Sequence, residues 1–153
     1  MTAESVLTAL ATVANTGTIV QQVIIEGSLS TLTGQFPALI LFCPKTVEER
    51  EATGKRRELH DVVILYLDRW ESNARTAEQL AADARTALEA MKANVRANHT
   101  LTVAGTPNAL VAGERIETAR LGILEQIEGQ TLPFPMYVAV MTLPEIADLW
   151  FTG

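Results

Sequence analysis

Few residues of this chain have side chains and spacings that could support catalysis or bind a metal. The chain has two histidines, His60 and His99, and one cysteine, Cys43. His60 is followed by Asp61, but adjacent residues of a strand point to opposite faces, so this pair would need partners from other segments. Neither histidine belongs to a Glu-x-x-His motif or to a carboxylate cluster, which zinc and di-iron sites use. We therefore predict no metal site.

The short motifs that bind phosphate or present a nucleophile are also missing from the sequence. It contains no G-x-G-x-x-G, no G-x-x-x-x-G-K-[ST] and no G-x-S-x-G. Cys43 lies within an apolar run and is expected to pack as a small hydrophobic residue. Gly54 and Lys55 lack the rest of a phosphate loop, and Glu48 and Glu49 belong to a charged segment that is expected to face solvent. We predict no catalytic residue and no cofactor.

Composition favours one domain that comprises residues 1–153. The chain is 48% apolar and 20% charged, as in an average globular domain. Its net charge of −6 argues against nucleic-acid phosphates or an anionic membrane as the main partner, because both attract basic surfaces. A single cysteine cannot form an intramolecular disulfide, and the first residues carry an acid where a signal peptide requires a base. We therefore expect assembly in the cytoplasm.

Two helices are predicted from apolar periodicity. Residues 3–14 place apolar side chains on one face at helical spacing. Residues 76–98 have the stronger pattern, with a charged face opposite the apolar one. Thr76 and Gln79 have the spacing of a capping box, so the second helix is expected to begin after Thr76.

Apolar and β-branched segments predict the strands. Residues 18–27 are predicted to form the first strand, with continuation of the first helix as the alternative. "PALILFC" (37–43) is predicted to form the second strand, which Pro44 is expected to end. "LHDVVILYLDRW" (59–70) has six consecutive apolar residues, which indicates burial on both faces and a central position. The other predicted strands are a small hairpin between 99 and 122, a strand at 119–129 that turns at Gly129-Gln130, and a closing strand at 134–143.

Runs of adjacent strands with few helices predict an α+β fold. We expect a mostly antiparallel sheet, with one long amphipathic helix and a short N-terminal helix packed on it. The strands at 37–43 and 59–70 are expected to form a hairpin.

Two segments are candidate interfaces. Residues 45–58 change from acidic to basic without apolar periodicity, and are expected to be a charged hairpin loop that bends at Gly54 and is either disordered or ordered by a partner. Residues 144–153 are expected to be a docking tail, in which large aromatic side chains either fold onto the sheet or anchor another molecule. The candidate interface residues of the two segments are Glu48, Glu49, Arg50, Lys55, Arg56, Arg57, Leu149, Trp150 and Phe151.

The order of these segments resembles that of the tail-terminator (minor tail, tail-completion) proteins of long-tailed bacteriophages. The resemblance covers residues 1–143: a short helix, "FPALILFCP", a charged loop ending in Arg-Arg, "LHDVVILYLDR", a helix beginning "TAEQLAADARTALEAM", and a closing hydrophobic strand. It implies a structural virion protein that forms a homo-oligomeric ring, expected to be a hexamer. Such a ring caps the tail tube, stops its polymerisation and provides the interface for head–tail joining.

The resemblance also implies partners and a location. The partners are further copies of the chain, the tail-tube protein and the head–tail connector protein, with no membrane and no sequence-specific nucleic acid. The location is the head-proximal end of the tail in the virion, reached after assembly in the host cytoplasm.

Other functions are compatible with the same sequence. A head–tail connector component or a tail-tube subunit would belong to the same class of virion protein. A small ferredoxin-like α+β binding or regulatory domain would act as a dimer, with a ligand pocket between sheet and helix. An enzyme on this scaffold would use His60, Asp61 and Tyr66, although Asp61 and Tyr66 lie five positions apart and face opposite sides of a strand.

Overall fold

A computed structural model describes the backbone of residues 3–26, 32–52, 55–71, 74–98, 100–102, 109–111, 115–127 and 129–151. Side chains are described for the same residues except 3–5, 50–52, 55–57, 100–102, 109–111 and 147–151. Gly54 and His99, which the sequence singled out, lie outside the described residues.

Within these ranges the chain forms two helices and seven strands. The helices are α1 (Ala3–Ala14) and α2 (Ala77–Ala97). The strands are β1 (Gln22–Ile25), β2 (Ala38–Ala52), β3 (Lys55–Arg69), β4 (Thr100–Thr102), β5 (Ala109–Val111), β6 (Glu117–Ile127) and β7 (Gln130–Phe151).

The start of α2 is fixed by local hydrogen bonds. The Thr76 hydroxyl accepts a hydrogen bond from the Gln79 backbone N–H at 3.1 Å, and the Gln79 side-chain oxygen accepts one from the Thr76 N–H at 2.9 Å. Both bonds satisfy N–H groups that a helix leaves unpaired at its start. The predicted capping box is confirmed.

One mixed, mostly antiparallel sheet contains the seven described strands, which confirms the predicted α+β class. Strand β7 is its axis, because β3 pairs with it from Met136 to Phe151. On the other edge of β7, β6 pairs with residues 130–142 and β5 with residues 147–149. The sheet therefore has two parts, which follow one another along the long strands. We call the first part the body, with the strand order β1-β2-β3-β7-β6, and the second part the outer level, with the order β2-β3-β7-β5-β4.

Both helices pack on one face of the body and form the main core with it. Fully buried members of this core include Leu7, Leu10, Leu39, Leu41, Ile64, Tyr66, Leu80, Met91 and Met141. The opposite face holds a smaller cluster around Ile40, Leu67 and Val138, and no described helix covers it. The prediction that β3 is central is confirmed, but its burial is unequal: Ile64 is fully buried, whereas Leu65 is half-buried.

The three long strands are irregular at the level where the body ends. The pairing of β2 with β3 shifts between Phe42 and Lys45, and the pairing of β3 with β7 shifts at Asp61. In β7 the φ angle of Glu145 is 57°. Asp61 stabilises this corner, because its Oδ1 accepts a hydrogen bond from the Glu145 N–H at 3.0 Å. Such irregularities bend strands, so the sheet bends along this line.

Proline positions were misinterpreted from the sequence. Pro44 was expected to end its strand, but β2 continues through it to Ala52, and Pro144 likewise lies inside β7. Both prolines lie at the bend, where the ladder is already interrupted and a missing N–H is tolerated.

The loop predicted at 45–58 is wrong. Residues 45–52 and 55–58 are strands, because 45–52 pairs with β3 and 55–58 pairs with both β2 and β7. The charged sequence of this segment does not predict that pairing. Residues 144–151 are not a segment separate from the sheet, because they continue β7 as far as Phe151. Docking of this segment on another molecule stays a prediction. The predicted first strand is shorter than expected, since only Gln22–Ile25 pairs with β2.

Candidate assembly surface

Both candidate interface segments belong to one structural unit. We call it the arm: Lys45–Ala52 of β2, Lys55–His60 of β3 and Ile146–Phe151 of β7. The register places Glu49 opposite Arg57, and Arg57 opposite Leu149. Arg56 likewise lies between Arg50 on β2 and Trp150 on β7, and Lys55 lies between Ala52 and Phe151. The sequence named these residues but did not predict that they pair.

One row across the arm consists of acidic residues. Glu48 of β2 pairs with Glu58 of β3, which pairs with Asp148 of β7. Glu48 is exposed and the Glu58 side chain is 21% exposed. Like charges placed opposite each other on neighbouring strands destabilise a sheet. The next pair on the same face of the arm is basic, because Arg50 pairs with Arg56 two residues further along the two strands.

His60 lies at the base of the arm and is completely buried. Its Nδ1 lies 3.0 Å from the Thr46 hydroxyl, and its Nε2 lies 3.3 Å from Glu58 Oε2 in an orientation that does not form a hydrogen bond. The Thr46 hydroxyl is also 3.5 Å from the Cys43 sulfur. These contacts join β2 to β3 beside the bend, and sequence reasoning missed them because Thr46 and His60 are fourteen residues apart.

The three residues that an enzyme would have used do not meet. His60 contacts Thr46 and Glu58, whereas Asp61 binds the backbone of Glu145. Tyr66 lies under the helices, where its hydroxyl donates a hydrogen bond to Asp68 at 3.5 Å. No catalytic arrangement of His60, Asp61 and Tyr66 results.

A buried charged network links the body to the start of α2. Asp68 is 1% exposed, and its Oδ1 accepts a hydrogen bond from Arg75 Nη2 at 2.8 Å. Arg75 Nη1 also binds Asp83 of α2 at 2.9 Å. The hydrogen bond to Asp68 is the main cause of a raised pKa of the Arg75 guanidinium. One arginine therefore bridges a buried and an exposed carboxylate.

Tyr66 gives a pH-dependence prediction. Burial, and then the Asp68 carboxylate, raise the pKa of its phenol above the ordinary value. A raised pKa in the folded state means that the stabilisation is complete below about pH 10 and is lost as the pH rises further. We expect the free energy of unfolding to fall above that pH, by up to about 1.4 kcal/mol per pH unit more than in Tyr66→Phe.

Urea unfolding of the wild type and Tyr66→Phe at pH values from 8 to about 11 measures this difference. The wild-type curve should be the steeper one above pH 10. Parallel curves would contradict the assignment of this alkaline sensitivity to Tyr66.

A cleft opens between α2 and β6. Its lining residues are Arg85, Leu88, Glu89, Thr118 and Arg120, and its volume is about 280 Å³. Sequence reasoning did not predict this cleft, because α2 and β6 are distant in the chain.

Among the described residues, no group of three or more His, Cys, Asp or Glu side chains is arranged to hold a metal ion. Neither described helix combines the length and apolarity of a bilayer-spanning helix.

Comparisons with known proteins assign no family to the chain. No protein-family model matches it, and no curated protein matches it significantly. Function is therefore proposed from the order of the segments and from the geometry of the arm.

Proposed function

We propose that this protein is a structural virion subunit similar to phage tail terminators. It assembles into a ring, expected to contain six copies, that caps the tail tube, stops its polymerisation and offers a surface to the head–tail connector. Its partners are its own copies, the tail-tube protein and the connector protein. Its place in the virion is the head-proximal end of the tail.

The observation that carries the proposal is the arm. Two segments were selected from the sequence for their charge and their aromatic residues, 45–58 and 144–153, and their described residues come together at one end of the sheet. The described core contains no residue of β2 beyond Cys43, so this end of β2 is not needed to fill the body. Strands that extend past a core suit contacts with other subunits, and function in such a protein depends on its edges.

The β2 and β3 strands of the arm can be shortened in a single variant. We expect replacement of residues 48–58 by Asn-Gly, which joins Val47 to Leu59 through a two-residue hairpin turn, to abolish ring formation and leave the body folded. Asn-Gly suits such turns because both residues accept a positive φ. The free energy of unfolding should fall by no more than about 2 kcal/mol, since the described core loses no side chain.

Light scattering and negative-stain images of the same fractions provide the measurement. The wild type should have six times the mass of one chain and a central hole, and the variant should be monomeric with cooperative thermal unfolding. Binding of wild-type rings to purified tail tubes is the second step. Wild-type protein that forms only compact dimers, and that does not bind tubes, would reject the proposal and favour a ferredoxin-like binding domain.

A further inference from the structure

Strand β6 is an edge of the described sheet. It pairs with β7, and no other described strand pairs with it. The register shifts between Arg120 and Gly122, so a bulge separates a regular stretch, Glu117–Arg120, from the rest of the strand. All four residues of this stretch are exposed. Every second residue of an edge strand directs its N–H and C=O groups away from its partner, so the stretch offers backbone hydrogen bonds to another strand.

A recess lies on each face of this stretch. On the face that carries the helices, Thr118 and Arg120 form one wall of the cleft described above, and Arg85 of α2 lines the other wall. The opposite face holds a second recess, whose lining residues include Glu117, Ala119, Val140 and Thr142. Neighbouring residues of a strand point to alternate faces, so the side chains of an added strand would enter the two recesses in turn.

The cleft on the helix side favours acidic side chains. Arg85 and Arg120 line it from opposite walls, and neither has an ion-pair partner among the described side chains. Glu89, the acidic residue in the same lining, already binds Lys92 Nζ at 3.1 Å. Two guanidinium groups on facing walls suit carboxylates, which arginine binds through paired hydrogen bonds.

We infer that β6 accepts an extended acidic segment of another protein as an additional strand of the sheet. The backbone of the segment pairs with Glu117–Arg120, and its acidic side chains enter the cleft between α2 and β6. The side chains between them lie in the recess on the opposite face, beside Ala119 and Val140. In recognition of this kind, backbone hydrogen bonds supply affinity, and pockets for alternate side chains supply specificity.

This surface is separate from the arm. The pairing of β6 with β7 starts at Thr142, whereas the part of β7 in the arm begins four residues later at Ile146. The inference therefore goes beyond the proposed function and does not depend on ring formation.

A synthetic peptide provides the probe. In Thr-Val-Glu-Val-Glu-Val-Thr, labelled with a fluorescent dye, an extended backbone places the glutamates on one face and the valines on the other. Fluorescence anisotropy should show saturable binding to the wild-type protein, with a Kd below about 1 mM. Because the cleft contact is between charges, binding should weaken as salt rises from about 0.05 M to about 0.5 M.

Modified peptides separate the backbone contact from the charge contact. Two peptides carry methyl groups on alternate backbone nitrogens, one on the glutamates and one on the valines. Only one of these sets of N–H groups faces β6, so one peptide should bind at least about tenfold more weakly and the other should change by less than about threefold. A peptide with lysines in place of both glutamates should also lose at least about tenfold in affinity.

Charge reversal in the protein tests the cleft. Arg85→Glu/Arg120→Glu should bind the glutamate peptide at least about tenfold more weakly than the wild type and should prefer the lysine peptide. Arg96→Glu makes the same kind of charge change on the same helix, outside the lining of the cleft, and should change the affinity by less than about threefold. Circular dichroism shows whether each variant is folded.

The inference is wrong if the wild type shows no saturable binding up to about 1 mM peptide. It is also wrong if the two methylated peptides bind equally, or if the folded cleft variant still prefers the glutamate peptide. Light scattering should give the wild type and the cleft variant the same mass at the same concentration. A lower mass for the variant would show that a second copy of this chain fills the cleft, and would also overturn the inference.

Discussion

Ile64→Asp is expected to unfold the protein at room temperature. Ile64 is fully buried beneath the helices, and its partners across the sheet, Leu41 and Met141, are also fully buried. An aspartate at this position would place a carboxylate in an apolar site without a cation or hydrogen-bond donor. The expected loss is about 5 kcal/mol or more, which is comparable to the whole stability of a typical domain.

The neighbouring residue is a matched control for this prediction. Leu65 follows on the same strand but points to the opposite face, where it is half-buried and no described helix covers the sheet. Leu65→Asp should cost about 1–3 kcal/mol, because its carboxylate can reach water. Circular dichroism and urea unfolding measure both variants, and equal losses would contradict the one-sided packing of the helices.

The second large effect is expected at Arg75. Arg75→Met removes the cation that binds Asp68 and leaves a carboxylate that is 1% exposed. Among the described side chains, the Tyr66 hydroxyl at 3.5 Å is then its remaining hydrogen-bond donor. Removing one partner of a buried ion pair typically costs about 3–5 kcal/mol, because the remaining charge stays away from water. We expect a loss of this size at pH 7, measured by urea or thermal unfolding.

Two variants show whether the buried carboxylate causes that loss. Asp83→Asn removes the partner of Arg75 that is 54% exposed, and should cost no more than about 1 kcal/mol. Asp68→Asn, added to Arg75→Met, removes the stranded charge and should recover part of the stability. If Asp83→Asn is as damaging as Arg75→Met, the network acts through α2 and not through Asp68.

Local patterns in the sequence were sufficient to predict the helices and strands whose stabilising contacts are local. Helix α2 was predicted with its capping box because Thr76 and Gln79 are three residues apart and the apolar face repeats within the helix. The apolar run of β3 indicated a central strand for a similar reason: a continuous apolar segment must be buried wherever it pairs. The fold class followed from the order of these elements.

Pairing between strands that are far apart in the sequence could not be predicted from local patterns. Lys45–Ala52 has the composition of a solvated loop, and only the neighbouring strands make it a strand. The prolines at 44 and 144 looked like strand ends, because the sequence does not reveal that bulges in three strands coincide there.

The candidate interface shows the same difference between what the sequence predicts and what the tertiary structure adds. The sequence by itself identified Glu48 and Arg57 as candidate interface residues from their charge. It identified Trp150 from its large aromatic side chain, which was expected either to fold onto the sheet or to anchor another molecule. The tertiary structure alone decided that these residues share one arm, that Glu48 and Glu58 form an acidic row, and that Arg85 and Arg120 line one cleft. The physical reason is that charge and hydrophobicity belong to single residues, whereas a surface is made by strand register and helix packing between residues far apart in the chain.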